Sequence, residues 1–286
     1  MIKKIINVFR QLYHLRNISN SIDRQLNYSS WDSFESLKKE ITNKKPESLL
    51  AFSSKSYSQN DEDGIITEIF NRIGTTNKIF VEFGVGLGLE SNSFNLLLRD
   101  WKGLWIEGSE KYCKVINKGL SKTIASGQLK LENSFIYKEN INSLISKHIS
   151  EKEIDLLSVD IDGNDYHIWN EINCINPRVV IFEYNAKILP DLNWCMEYDP
   201  NYIWDGTDTF GVSLKFLEEK LGKKGYALVC CNLTGVNAFF VRKDLISDNF
   251  PAPFTAKNHY MPPRYYFSSM QFGHPASYNI LEKRLK

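Results

Sequence analysis

Cysteine is scarce and unpatterned in this chain. The five present (Cys113, Cys174, Cys195, Cys230 and Cys231) form no CxxC pair and lie near no histidine at zinc-ligand spacing. That argues against a disulfide scaffold or a structural zinc, and an odd, scattered set fits a reducing compartment. Net charge is nearly absent as well, at +1. Backbone binding to a nucleic acid needs a concentrated basic surface, so no nucleic acid partner is expected. No apolar run reaches the roughly 18 residues of a membrane span, and no signal-peptide core precedes a small-residue cleavage site. The expectation is a cytoplasmic protein.

What remains is the composition of an ordinary globular chain: 286 residues, 42% hydrophobic and 24% charged. One large core with an appendage accounts for that length. The chain divides on pattern into an N-terminal helical appendage (1–56), a principal domain (57–243) and a proline- and tyrosine-rich wrapping tail (244–286).

In the appendage, residues 1–16 set Ile2, Ile5, Ile6, Phe9, Leu12 and Tyr13 on one helical face, with Lys3, Lys4, Arg10 and Arg16 on the polar side. Such a helix packs on its own domain, pairs with a second subunit in a homo-oligomer, or lies at an anionic membrane surface as a peripheral contact. A second, short helix is expected near WDSFESLKKEI.

From Tyr57 the pattern tightens. A helix begins near Ser58 or Asn60, carries Ile65, Ile66, Ile69, Phe70 and Ile73 as its stripe, and stops at Gly74. Strand candidates follow at 78–84, 103–109, 128–134, 155–163 and 178–185, spaced for crossover helices. Their continuous apolar runs predict an α/β fold with a mostly parallel sheet covered on both faces. Segments 226–232 and 237–243 are joined by only LTGV, which is too short for a crossover, so this last pair is antiparallel. Most of the parallel strands close on a carboxylate or an asparagine, at the edge where open α/β sheets bind ligands.

The stretch IFVEFGVGLG runs a strand into Gly84, Gly86 and Gly88. Glycines there allow unusual dihedrals and let a ligand approach the backbone. Glu107 closes the next strand, where an acid accepts bonds from a ribose diol. A dinucleotide wants GxGxxG beneath its pyrophosphate, whereas this turn reads GxGxG and is flanked by Glu82 and Glu90. Carboxylates repel a pyrophosphate and attract a sulfonium, so S-adenosylmethionine is favoured over NAD.

With YSQNDEDG, VEFGVGLGLESNS, WKGLWIEGS, DLLSVDIDGNDYHIW and VVIFEYN in place, residues 57–243 resemble class I S-adenosylmethionine-dependent methyltransferases, and more closely the FkbM-type family. The resemblance implies a Rossmann-like, seven-stranded sheet with its final pair antiparallel. It also implies that Glu82 and Gly84, with Gly86 and Gly88, hold the methionyl part, Glu107 the ribose, and Asn133 or Ser134 the adenine side. Many FkbM-type members have Asp-x-Gly-Ala-Asn where this chain has Glu-Phe-Gly-Val-Gly, a departure that touches the subgroup and not the cofactor.

DIDGNDYH gathers Asp160, Asp162, Asp165 and His167 at the end of the fourth strand, with Glu183 and Asn185 on the fifth. If the strand stays extended, Asp160 and Asp162 share a side. Three readings stand. Asp160 or Asp162 with Glu183, and Asn185 as a further candidate ligand, holds Mg²⁺ or another divalent metal; Asp162, Asp160 or His167 acts as the catalytic base without metal; or Asp162 and Asp165 merely cap the next helix. Asp160 is also counted on the cofactor side.

The long connection 186–212 offers Trp194, Tyr198 and Trp204 among acids. Aromatic faces beside hydrogen-bonding groups suit a polyhydroxylated acceptor, and Asn185 and Asn237 are further substrate candidates. His259 is a candidate to close the site from the tail. The expected activity is O-methylation of a sugar, glycan or natural-product hydroxyl. The rival expectations are a nucleotide-cofactor oxidoreductase or sugar-modifying enzyme on a similar sheet, and a noncatalytic peripheral binding protein.

Overall fold

The computed structural model describes residues 2–267 and 273–284, with side chains from Gln11 onward. Seven strands form one sheet: β1 (Ile79–Phe83), β2 (Lys102–Glu107), β3 (Leu129–Asn133), β4 (Glu153–Val159), β5 (Asn176–Glu183), β6 (Tyr226–Cys231) and β7 (Asn237–Arg242). Their order is β3-β2-β1-β4-β5-β7-β6, and β7 runs antiparallel to both neighbours. That order is the Rossmann-like class I methyltransferase fold. The chain works outward through β2 and β3, then restarts beside β1 with β4, which leaves a crevice at the carboxyl ends of β1 and β4.

The helices in chain order are α1 (Ile2–Lys44), α2 (Glu62–Ile73), α3 (Phe94–Leu97), α4 (Glu110–Gly119), α5 (Ser121–Ala125), α6 (Ile141–Ser146), α7 (Asp165–Glu171), α8 (Leu214–Lys223), α9 (Ala256–His259) and α10 (Asn279–Glu282). One apolar layer joins Ile65, Ile69, Phe94 and Ile116 to Phe80 and Trp105 on one face of the sheet. The other joins Ile141, Ile145, Trp169 and Leu217 to Val81, Leu157 and Phe240. β1 and β4 are buried along nearly their whole length, which explains their unbroken apolar sequences.

Asp155, inside β4, fixes the entry to β1. Its carboxylate accepts the Thr76, Asn77 and Lys78 amides and meets the Arg178 guanidinium at 2.8 Å. Burial alone would raise its pKa, but Arg178 and the amides hold it below the usual carboxylate range.

The appendage differs from expectation. α1 is one unbroken helix rather than two, because no glycine or proline occurs before Pro46 to interrupt it. Its C-terminal part belongs to the core: Phe34 is buried, Leu37 and Ile41 pack on the same layer, and Leu49 and Leu50 follow them in. The boundary near residue 56 is therefore a change of sequence pattern, not of packing. The side chains of Ile2, Ile5, Ile6 and Phe9 lie outside the described residues. Among the described residues no helix is long and apolar enough to cross a membrane.

Candidate active site

A cleft of about 810 Å³ opens at the ends of β1 and β4. Its floor is the turn from Phe83 to Asn92, one wall is the Lys55–Gln59 segment with Asp160 and Asp162, and Gly273–Ala276 of the tail lie on the far side.

The glycine turn is built as its sequence suggested. Gly84, Gly86 and Gly88 all have positive φ, at 65°, 56° and 72°. A Cβ on Gly84 would meet the Asp160 carbonyl oxygen at 1.9 Å, and one on Gly88 would meet the Trp105 ring at 2.4 Å. At Gly86 nothing stands within 4 Å, so its backbone is open to the cleft.

Two carboxylates hold this turn. Glu82 accepts the amides of Asn92 (2.8 Å) and Ser93 (3.1 Å) and the Ser93 hydroxyl, which in turn accepts the Trp105 indole N–H. Burial pushes its carboxyl up to about 6 despite these donors. Glu107 accepts the Gly86 amide through one oxygen and the Ser109 amide through the other, each at 2.8 Å, and each oxygen keeps a lone pair. Asn133 donates to the carbonyls of Glu107 and Gly108, and the Ser134 hydroxyl donates to the Phe135 carbonyl. Neither lines the cleft. Beside them Phe135, 68% exposed, lays its ring against Gly108, an aromatic face that the sequence reading missed.

The acidic cluster forms, by a different route from the one expected. β4 ends at Val159, so strand alternation does not pair Asp160 with Asp162; a turn does, with Asp162 at φ 57°. One oxygen each from Asp160, Asp162 and Glu183 lie within 4.8 Å of one another. Burial and the neighbouring charges of Asp165 and Asp162 raise Asp160 well above the carboxylate range, and burial with Asp160 does the same to Glu183. Burial also raises Asp162. Among the described residues Glu183 Oε2 has no hydrogen-bond partner, nor does Asn237 Oδ1 on the residue paired with it across β5 and β7. Asp165 stands apart in function: it accepts the amides of Ile161 and Gly163 and so shapes the turn.

Several candidates are placed elsewhere. His167 is drawn away from the cleft, with Nε2 2.8 Å from the Met196 carbonyl and burial lowering its pKa. Asn185 is a buried peg that donates to the Asp208 and Phe210 carbonyls. Trp194 is tied through its amide to Ser213; Tyr198 packs on His167 beneath the Lys138 ammonium; Trp204 is 49% exposed on the loop surface. The 186–212 loop therefore does not roof the cleft. It packs beside Asp162, with Tyr202 against Gly163 and Asn164 bonded to Asp199. His259 is withdrawn too, pushed down to about 4 by burial and by Lys45.

The pieces that replace them come from both ends of the chain. His274, not His259, reaches the cleft from the tail. That tail is tethered by the Tyr278 hydroxyl to the Leu87 carbonyl at 2.6 Å and by Glu282 to Thr123. The NDED run folds back as a buried frame. Asp63 collects the amides of Ser56, Tyr57 and Ser58, and Glu62 accepts the side-chain amides of Asn60, Asn232 and Asn237. Asn232 and Asn237 therefore brace Glu62, although Asn237 still lines the cleft. Burial, with Asp61 beside it, pushes Glu62 up to about 7. Three consecutive acids ahead of an apolar helix were the signal, and capping alone did not account for so many.

No protein-family model matches the chain, and no curated protein does. Solved structures are similar to it over part of its length. Magnesium protoporphyrin IX methyltransferase from Synechocystis PCC 6803, with bound SAH, is 12% identical with a TM-score of 0.44, over 64% of this chain and 83% of its own. The glycopeptide N-methyltransferase MtfA complexed with S-adenosyl-L-methionine is 13% identical with a TM-score of 0.37, over 68% of this chain and 95% of its own.

Proposed function

We propose that this chain is an S-adenosylmethionine-dependent O-methyltransferase of FkbM type, acting on a hydroxyl of a sugar, glycan or natural-product acceptor. The observation that carries the reading is the wall chemistry of the cleft: an open glycine backbone at Gly86, bordered by Glu82, Glu90, Asp160 and Asp162. When bound, the cofactor supplies a reactive methyl on a cationic sulfonium, which these acids favour as they would oppose a pyrophosphate. The Gly84–Gly88 turn would hold the methionyl portion, the remaining lone pairs of Glu107 the ribose diol, and the exposed face of Phe135, beside Asn133 and Ser134 and outside the cleft's lining, the base.

Asp162 is the group we assign as acceptor base. It lines the cleft, no described residue bonds it into the turn as Asp165 is bonded, and burial raises its pKa. A general base of this kind contributes about 10²-fold or more. Most of the remaining work is positioning, which the rigid strand ends supply.

The same oxygens fit a divalent cation. Three carboxyls this close cannot all ionise without a counter-charge, and the orphaned Glu183 Oε2 is a vacant ligand atom. Such an ion would neutralise the cluster and orient an acceptor diol. The unpaired cysteines fit a cytoplasmic setting.

Calorimetric titration with S-adenosylmethionine and with NAD, each with and without magnesium, tests the reading. Saturable binding of the adenosyl compound alone supports it. Binding of NAD alone moves the protein to the oxidoreductases, and binding of neither to a noncatalytic role. Turnover that survives exhaustive chelation removes the metal.

A further inference from the structure

The long first helix carries an apolar stripe that no other described residue covers. Residues 11–26 of α1 are all exposed. Leu12, Leu15, Ile18, Ile22 and Leu26 keep between 43% and 61% of their surface in solvent. At 3.6 residues per turn these five fall within an arc of about 120°, a continuous seam on one side of the helix. A projecting helix gains little stability in water from propensity alone, so a seam of this kind calls for a partner.

We infer that the partner is a second copy of this chain, with the two α1 helices paired antiparallel about a two-fold axis near Ser19. The spacing of the seam reads nearly the same in both directions from that point. Leu12 then faces the partner's Leu26, Leu15 faces the partner's Ile22, and Ile18 lies at the centre. The edges of the seam agree with this direction. Arg16 and Asp23, a heptad apart, stand on one edge, while Gln11 and Gln25 lie in the row of Ile18 that forms the other. Antiparallel pairing brings like edges together, so Arg16 meets the partner's Asp23 twice over and the glutamines meet each other. A parallel pair sets the charged edge against the glutamine edge and forms no ion pair. A negatively charged membrane gains from Arg16 but is opposed by Asp23 at the same edge. The inference is independent of methyl transfer, since the seam lies on a different element from the cleft.

Sedimentation velocity of the full chain over a concentration series is the experiment. The wild type is expected to pass from monomer to dimer, and Ile18→Asp to stay monomeric. Arg16→Asp makes the charged edge acidic throughout, and Asp23→Arg makes it basic throughout. Each alone should weaken the dimer about tenfold. Mixing these two variants should restore association to near the wild-type level as a heterodimer, a rescue specific to antiparallel pairing. These positions are exposed, so folding is not at risk. A wild type that is monomeric at every concentration overturns the inference, as does failure of the mixture to associate. Binding to vesicles containing anionic lipid that is lost in Ile18→Asp, with no dimer, would assign the seam to a membrane instead.

Discussion

Two sets of carboxylates stand at the carboxyl ends of one sheet, and their surroundings treat them differently. Glu82 and Glu107 are met by backbone N–H groups and a hydroxyl, and so hold the glycine turn in shape. Asp160, Asp162 and Glu183 are met chiefly by one another. Burial raises acids in both sets, but only the second leaves an oxygen with no partner. Acids that are hydrogen-bonded by the fold build a site; acids left facing each other are available to a proton, a cation or a substrate.

The sharpest break in that contrast is Glu82→Ala. It strands two amides and a hydroxyl in a buried turn, and a loss of about 3 kcal/mol is expected in urea unfolding, with cofactor binding lost. A loss below about 1 kcal/mol would make Glu82 as dispensable as its counterparts. Asp162→Asn should do the reverse, lowering methyl transfer about 100-fold while unfolding stays unchanged and the cofactor still binds. Full turnover in that variant would falsify the base assignment.

Acidity distinguishes the sets more gently. Raised native pKa values mean that the folded protein keeps protons the unfolded chain has released. This contribution is complete below the ordinary value of 4.5 and is lost as pH climbs through about 6 for Glu82 and about 7 for Glu62. His167 and His259, both lowered, act oppositely below their ordinary 6.5. Asp160, Asp162 and Glu183 are raised in the same direction, so a divalent cation should raise the melting temperature more at higher than at lower pH, and Glu183→Gln should abolish the difference. A shift that does not change with pH would remove the ion from the cluster. The smallest effect is expected of Trp204→Ala, outside the cleft on an exposed loop: less than about threefold in KM and within about 0.5 kcal/mol in stability.

Legibility in the sequence followed burial. β1, β4 and β5 are enclosed on both faces and read as unbroken apolar runs, whereas edge strand β3 is only partly buried and read weakly. The glycine turn was legible because its dihedrals demand that residue type. Asp160, Asp162 and Glu183 were found as a group, but the turn that joins the first two has no signature beyond Gly163. His167 and Asn185 misled because a polar side chain looks the same in sequence whether it meets a ligand or a loop carbonyl. Their partners, Met196 and Phe210, lie about 25 residues or more away. The far wall was hidden for a related reason, since nothing local to GHP shows that Tyr278 will tether it to Leu87.

That tether has a consequence for synthesis. The segment around Tyr57 is made about 200 residues before Gly273–Ala276, yet they border the same cleft. All seven strands lie before Lys243, but the cleft gains its far wall only when Tyr278 and Glu282 reach the glycine turn and Thr123. The far wall of the ligand site thus waits on a segment made well after the strands it serves.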